Sequence, residues 1–218
     1  MMLEAEERWF AAQLRALPVV PSPCVDIGSG IARPVPGRTH LRNLLLESGV
    51  RVVNFDRKAA PEIDISGDIF DPAAQRRIAA LAPRLIVCTN MLEHLPAGRI
   101  GEFARILTEC LAPDGHLFIS APRSHPYHLD PIDNRYRPHP EELARLFPDL
   151  RLVAAASVSG PNYWDELRQS DRAYYWRVAR RLLKPVPKFD RWKATIHRFG
   201  WLRRPYVESC LVLHKAAD

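Results

Sequence analysis

Short apolar runs alternate with segments of helical period along most of this chain, and this alternation limits the possible folds more than any other feature. The run Leu85-Ile86-Val87-Cys88 is typical of a strand buried on both faces, whereas residues 99–111 carry apolar side chains at helical spacing. Strands and helices in alternation, joined by short turns, favour βαβ units. We therefore predict an α/β fold with a seven-stranded, mostly parallel sheet and helices on both faces.

Turn and capping residues set the limits of these elements. Strands are predicted over residues 24–27, 50–55, 63–65, 84–89, 116–120, 150–157 and 206–215. Helices are predicted over residues 3–17, 39–48, 72–81, 99–111 and 141–147, with N-caps at Thr39 and Asp71. The 218 residues suffice for one domain. We divide it into a lead-in helix (1–18), a core (19–160), a helical insertion (161–205) and a closing strand (206–218).

The positive charge of the chain is concentrated in its last quarter. Residues 1–160 hold 18 Lys and Arg against 19 Asp and Glu, whereas residues 161–218 hold 13 against 6. The overall charge of +6 therefore gives little support to a nucleic-acid partner, and no RNA or DNA module is recognisable. The insertion combines this charge with four of the five tryptophans. Three interpretations stay open for it: an aromatic lid over the acceptor, a surface for anionic lipid or a lipid-linked substrate, and a homodimer contact.

The chain carries no recognisable membrane or export signal. No apolar run approaches the roughly 20 residues that a bilayer span needs. Residues 1–10 are acidic and amphipathic, unlike a signal peptide. The four cysteines are scattered without metal-type spacing, which favours buried thiols in a reducing compartment. We therefore expect a cytoplasmic protein.

A ligand site is expected at the carboxyl ends of the strands, where parallel sheets bind their ligands. The segment Asp26-Ile27-Gly28-Ser29-Gly30 follows the first strand, and its glycines allow a sharp turn and close approach of a ligand to the backbone. Pro34 and Pro36 stand where a dinucleotide site requires a helix N-terminus. A phosphate cradle is therefore disfavoured.

Two further acids follow the second and third strands. Asp56 is suited to accept hydrogen bonds from both hydroxyls of a ribose. Asp68, in Gly67-Asp68-Ile69, is placed to accept from an adenine amino group. Each acid alone is better interpreted as a turn or cap residue. Together with the glycine turn and with residues 89–95 after the fourth strand, they converge on one cleft.

These motifs together resemble those of the class I S-adenosyl-L-methionine (SAM)-dependent methyltransferases, specifically the type 11-like small-molecule group. The family carries Val-x-Asp-x-Gly-x-Gly after its first strand, and this chain matches its Asp-x-Gly-x-Gly part at 26–30. The resemblance also rests on Gly-Asp-Ile at 67–69, on Leu-Glu-His-Leu at 92–95 and on the turn at 111–117. It covers roughly residues 20–160 and 206–215, and it implies a Rossmann-like sheet. Ala32 departs from the family pattern because it occupies the third glycine position.

The resemblance implies SAM as the cofactor and assigns eight residues to it. Those expected on the methionine and ribose side are Asp26, Gly28, Gly30 and, for the ribose hydroxyls, Asp56. Those expected at the adenine are Asp68 and the backbone of Ile69, and those expected beneath the sulfonium are Asn90 and Met91.

The methyl acceptor is not fixed by these motifs. The Asn-Pro-Pro-Tyr motif of amino-methylating enzymes on nucleic acids and proteins is replaced by Thr-Asn-Met-Leu at 89–92, which favours a hydroxyl of a small molecule or glycan. A hydroxyl acceptor calls for a general base. We predict His128 as the first candidate, with His94 and Asp130 behind it. His125, His128, Asp130 and Asp133 are interpreted as turn residues of a substrate-facing loop, and we assign no metal to them.

Three functions stay open on the sequence alone. The first is an active SAM-dependent O-methyltransferase, and the second is a non-catalytic binding or scaffold protein with the same fold. The third is a nucleotide-dependent oxidoreductase, which the missing phosphate cradle disfavours. Binding of SAM separates the first two from the third, and turnover separates the first from the second.

Overall fold

The computed structural model describes residues 2–28, 41–127, 133–183 and 189–217. Within these ranges seven strands form one sheet, and eight α-helices lie around it. The strands are β1 (Cys24–Ile27), β2 (Val52–Asp56), β3 (Ile65–Ser66), β4 (Leu85–Thr89), β5 (His116–Ser124), β6 (Arg151–Ser159) and β7 (Val207–His214). The helices are α1 (Glu4–Ala16), α2 (Leu41–Glu47), α3 (Pro72–Ala79), α4 (Ile100–Cys110), α5 (Pro140–Ala144), α6 (Tyr163–Gln169), α7 (Arg172–Leu183) and α8 (Phe189–Phe199).

The strand order is β3-β2-β1-β4-β5-β7-β6. The first five strands pair in parallel, and β7 runs antiparallel to both of its neighbours. The order reverses at β1 and β4, so the carboxyl ends of these strands form the crevice where a doubly wound sheet binds ligands. The predicted α/β fold with a helical insertion before the last strand is thus confirmed.

Each face of the sheet carries its own core, because alternate side chains of a strand point to opposite faces. Val25, Ile86 and Leu117 face one side and pack with Phe103 of α4. The opposite face presents another set of strand residues to α1 and α2, namely Cys24, Leu85, Val87, Phe118, Cys210 and Val212. Helices on both faces bury most residues of the central strands, which explains why these sequences are largely apolar without alternation.

Helix α1 is held on the sheet by a stripe of side chains one helical turn apart. Phe10 is fully buried and stacks on Phe118 of β5, with ring centroids 5.4 Å apart, and Leu14 is buried beside it. Glu6 occupies the preceding position of the same stripe and is equally buried. Since residues four apart share a helix face, the packing of Phe10 and Leu14 carries Glu6 inward to the carboxyl end of the sheet.

The predicted boundaries agree with the structure to within a few residues, with two informative differences. Strand β3 is only two residues long and begins at Ile65, later than predicted, because Asp64 is used to bind the backbone of Asn54. Strand β5 continues to Ser124, since β7 pairs along its whole length. Thr39, the predicted N-cap of α2, lies outside the described residues.

The insertion is attached to the domain by a small core of its own. Tyr163 and Leu167 of α6 pack with Tyr206, and all three are buried. Helices α7 and α8 pack on each other and contribute Tyr174 and Phe199 to the edge of this core. Among the side chains described in these two helices, Val178 and Thr195 are the buried ones. No helix in the described part of the chain is long and apolar enough to cross a bilayer.

Candidate active site

The turn after β1 has a backbone geometry that favours glycine. Gly28 has φ +74°, and its N–H donates to the carbonyl of Phe55 in β2 at 2.9 Å. A Cβ at this position would lie 2.9 Å from Sδ of Met91, closer than such atoms approach. The turn after β1 and the segment after β4 are therefore in direct contact, and a larger residue at position 28 would push them apart.

The predicted ribose and adenine acids lie at adjacent strand ends. Asp56 ends β2, and its Oδ1 accepts from the N–H of Lys58 at 2.8 Å. Asp68 is exposed and its Oδ1 accepts from the N–H of Phe70 at 3.0 Å. The intervening Gly67 donates to the carbonyl of Asp56 at 3.1 Å, which ties the two acids together. Ile69 is buried beneath this edge.

The remaining residues predicted at the cofactor have less specific surroundings. Asp26 is half-buried within β1, in register with Asn54 of β2 and Val87 of β4. Gly30 lies outside the described residues, so the structure brings together seven of the eight predicted positions. These seven line the ends of β1 to β4, on one half of the crevice.

Asn90 stands at the centre of the crevice in an unusual backbone conformation. Its φ is +51°, a left-handed value that Asn tolerates better than most residues. Its N–H donates to the carbonyl of Ser120 at 3.2 Å, and its Nδ2 lies 3.3 Å from Oε2 of Glu6. Its Oδ1 is buried and has no hydrogen-bond partner within the described ranges. The backbone N–H and the side-chain Nδ2 of Asn90 are thus hydrogen-bonded within the protein. Its side-chain oxygen is an acceptor without a partner among the groups described.

Glu6 is the principal residue of this region that the sequence did not indicate. Its carboxylate accepts from Oγ of Ser120 through a short hydrogen bond and from the N–H of Leu3 at 2.9 Å. Burial raises the pKa of Glu6 to about 7, and the hydrogen bonds from Ser120, Leu3 and Asn90 offset part of the rise. An acid four residues before the buried Phe10 was the available signal, because it occupies a position that packing requires to face inward.

Two more buried acids lie near Glu6. Glu93, in the short 3-10 helix after β4, and Glu208, at the start of β7, are each 2% exposed. One oxygen of each, Oε2, has no hydrogen-bond partner among the residues described. Burial raises both pKa values, and the charges of Glu6 and Glu93 raise that of Glu208 further. Arg137 has the opposite effect on both. We call Glu6, Glu93 and Glu208 the acid cluster.

The predicted bases are placed unevenly. His94 is half-buried, with Nε2 3.8 Å from Oε1 of Glu93. His125 packs on the ring of Tyr206 at 4.6 Å. His128 and Asp130 fall outside the described residues, and their role as bases stays a prediction.

Asp133 has the turn function that the sequence suggested. Its Oδ2 lies 2.6 Å from Nη2 of Arg137, and its Oδ1 accepts from the N–H of Arg135 at 2.8 Å. Within the described ranges, no group of three or more His, Cys, Asp or Glu residues is arranged to hold a metal ion.

The residues along this crevice fit SAM. At Gly28 a Cβ would fill the approach to the turn after β1, and carboxylates stand at the ends of β2 and β3. A buried amide oxygen without a described partner lies at Asn90.

Comparison with known proteins identifies the class. The sequence profile of the family described as Methyltransferase domain matches residues 3–185. The chain belongs to this family: it is a class I SAM-dependent methyltransferase with a Rossmann-like fold, and SAM is its cofactor. No match is found among curated protein sequences.

Solved structures agree on the fold at low sequence identity. A putative sarcosine dimethylglycine methyltransferase from Galdieria sulphuraria has a TM-score of 0.62 and 14% identity, over 97% of this chain and 85% of that chain. The 1,6-didemethyltoxoflavin-N1-methyltransferase of Burkholderia thailandensis, solved with 1,6-didemethyltoxoflavin and S-adenosylhomocysteine, has a TM-score of 0.55 and 19% identity, over 98% and 79%. A SAM-dependent methyltransferase from Archaeoglobus fulgidus has a TM-score of 0.54 and 15% identity, over 96% and 94%.

Proposed function

We propose that this methyltransferase transfers the methyl group of SAM to a small molecule. The small molecule binds over the carboxyl ends of β4 and β5 and the amino end of β7. The observation that carries the proposal is the pairing of Asn90 with Glu6 and Ser120. These residues divide the crevice between the predicted cofactor half, at β1 to β4, and a second half lined by the acid cluster. The second half is the place left for an acceptor.

On the cofactor half, each predicted residue has a distinct task. Asp56 holds the ribose hydroxyls, and Asp68 with the backbone of Ile69 binds the adenine. Asp26 and the glycines at 28 and 30 line the methionine and ribose side. Asn90 and Met91 lie under the sulfonium end, where the packing of Met91 against Gly28 limits how deep a ligand can sit.

When bound, SAM supplies a methyl group already activated by its sulfonium, so the protein mainly aligns the acceptor and excludes water. Glu6 acts as a positioning residue in this proposal, because it is fully buried and reaches the crevice through Asn90 and Ser120. Helix α1 closes the crevice on that side through the packing of Phe10 on Phe118. The proton of an acceptor hydroxyl passes to a general base, for which His128 remains the first candidate, before His94 and Asp130.

A hydroxyl of a small molecule or glycan is the first candidate for the acceptor group, on the sequence at 89–92. The acid cluster favours a second candidate, an amine. Three buried carboxyl groups with two oxygens unpartnered among the described residues are electrostatically costly, and a bound ammonium would lower that cost. Arg137, a cation that lowers the pKa values of Glu93 and Glu208, is itself engaged by Asp133 at 2.6 Å.

Calorimetry with S-adenosylhomocysteine tests the cofactor half. We expect wild-type protein to bind it, and Asp56→Ala to weaken binding by at least about 1.4 kcal/mol, or tenfold. Asp149→Ala removes an exposed acid far from the crevice and serves as the matched control. Loss of affinity equal to that of the control would contradict the role of Asp56, and no binding by wild type would contradict the cofactor half as a whole.

Isosteric acceptor probes distinguish the two acceptor groups. Ethanolamine and 1-propanol differ by an ammonium in place of a methyl group, and their binding is compared in the presence of saturating S-adenosylhomocysteine. The amine proposal expects ethanolamine to bind more tightly, with the preference lost in Glu208→Gln and kept in the exposed control Glu47→Gln. Equal binding of both probes contradicts it. A change in the relative affinity for SAM and S-adenosylhomocysteine in Glu208→Gln would instead assign the cluster to the cofactor.

We also propose a cytoplasmic location, supported by four cysteines that are all buried and unpaired. A homodimer contact through residues 161–205 stays an alternative for the insertion. The lipid interpretation of the insertion depends on the exposed side chains of α7 and α8.

A further inference from the structure

In the described part of the chain, helix α7 packs on the protein mainly through one face. Val178 is buried, and Tyr174 and Leu182 beside it are half-buried. The next face along the helix surface is apolar and exposed: Trp176 is 75% exposed and Leu183 is 80% exposed. Such large apolar side chains are seldom left in water together without a binding role.

The third face of α7 carries three arginines. Arg177, Arg180 and Arg181 are exposed beside the apolar stripe, and the sequence of α7 contains no acidic residue. An exposed apolar stripe flanked by arginine is the pattern of a helix that lies in the plane of a bilayer interface.

Helix α8 repeats the arrangement. Phe189 is 50% exposed and Ile196 is 46% exposed, one above the other on the same helix face. The ring of Trp192 stacks on Phe189 at 5.6 Å, and Nζ of Lys193 lies 4.5 Å from the centroid of Phe189. Aromatic rings beside cationic groups are typical of side chains at the level of lipid headgroups.

The apolar stripes are not a consequence of a loosely folded insertion. Its base is well packed, since Tyr163 and Leu167 are buried against Tyr206. The two helices also contact each other, and Nε1 of Trp192 donates to the carbonyl of Leu182 at 3.3 Å. The exposed residues therefore belong to a structured pair of helices.

We infer that α7 and α8 form a surface that docks this enzyme on an anionic lipid bilayer. We call it the α7–α8 surface and define it by its exposed apolar and basic side chains, Tyr175, Trp176, Arg177, Arg180, Arg181, Leu183, Phe189, Lys193 and Ile196. Charge complementarity decides for anionic lipid over a second copy of the chain. Residues 161–205 hold 12 Lys and Arg against 4 Asp and Glu, so two such surfaces would repel each other.

Cosedimentation with vesicles tests the inference on the full chain. We expect the wild type to bind vesicles of equal parts phosphatidylcholine and phosphatidylglycerol, to bind phosphatidylcholine alone weakly, and to lose affinity as salt is raised. The double variant Trp176→Ser with Leu183→Ser removes apolar contact, and Arg177→Gln with Arg180→Gln removes charge. Each should weaken partitioning to the mixed vesicles by about tenfold or more.

A matched arginine pair on α3 controls for net charge. Arg76→Gln with Arg77→Gln removes the same charge from exposed positions of α3 and should leave vesicle binding unchanged. Equal losses in the two arginine pairs would overturn the inference, because binding would then depend on total charge alone. The inference would also be overturned if the wild type bound neither kind of vesicle. If sedimentation velocity showed a wild-type dimer that the Trp176→Ser and Leu183→Ser changes dissociate, the surface would be assigned to a second copy of the chain.

Binding of S-adenosylhomocysteine by each variant verifies that the fold is intact. Vesicle binding involves no methyl transfer, so its failure is distinguishable from failure of the proposed function. A protein that binds vesicles and not S-adenosylhomocysteine would refute the proposed function and support the α7–α8 surface.

Discussion

Replacing Glu6 by Gln should change how the stability of this enzyme depends on pH. The carboxyl of Glu6 is fully buried, and its pKa is raised from 4.5 to about 7. Between these two pH values the folded protein binds a proton that the unfolded chain has released. The free energy of unfolding therefore falls as pH rises through this window, and each pKa unit corresponds to about 1.4 kcal/mol.

For Glu6 alone, the rise in pKa from 4.5 to about 7 lowers the free energy of unfolding by up to about 3 kcal/mol by about pH 8. Gln removes the ionisable group and keeps the shape. The amide oxygen of the glutamine in the variant can accept from the N–H of Leu3. Its amide nitrogen can donate to Oδ1 of Asn90 if the side-chain amide of Asn90 rotates by half a turn. Removing the charge of Glu6 also lowers the pKa of Glu208, which acts in the same direction.

Urea denaturation from about pH 4.5 to about pH 8 provides the measurement. We expect the stability of Glu6→Gln relative to wild type to increase steadily across this range by up to about 3 kcal/mol. The exposed control Glu47→Gln should follow the wild-type curve. Parallel curves for Glu6→Gln and wild type would refute the reasoning, since the carboxyl would then titrate in the fold as it does in the unfolded chain.

Two other substitutions test the packing that positions the site. Gly28→Ala should destabilise the protein by about 1–2 kcal/mol and weaken S-adenosylhomocysteine binding, because position 28 has a positive φ and the new Cβ would meet Met91. Thermal melts provide the measurement, with Gly98→Ala as the control because the space around its Cβ is open. Equal melting temperatures for the two variants would count against the contact between position 28 and Met91. Phe10→Ala should cost about 3–5 kcal/mol in urea denaturation through loss of its stack on Phe118, and a cost below about 1 kcal/mol would mean that α1 is held by other contacts.

The parts of the fold that follow from local pattern were predictable. The apolar run at Leu85–Cys88 belongs to a central strand because only burial on both faces tolerates such a run. The Asp71-Pro72 pair marked the start of α3, where Asp71 accepts from the N–H of Ala73. Glycine and acid at strand ends indicated the cofactor half, because chain order alone places parallel strand ends at one edge.

The acid cluster was not predictable in this way. Glu6, Glu93 and Glu208 are separated by most of the chain, and they meet only because α1 packs on β5 and because β7 inserts beside it. In sequence, Glu6 is one of several acids in an amphipathic helix and Glu208 is an acid in a strand. Their burial depends on long-range packing, which periodicity does not report.

The position of β7 also determines when the sheet can be completed during synthesis. Strand β7 is the last element of the described chain to be made, yet it lies between β5 and β6 and pairs with both. While a ribosome is still translating the insertion, β5 and β6 have already emerged, and each lacks the neighbour that β7 will provide. Unpaired strand edges invite association with other chains. The nascent enzyme is therefore most prone to aggregation just before residues 207–214 emerge, and those residues convert two edges into the interior of one sheet.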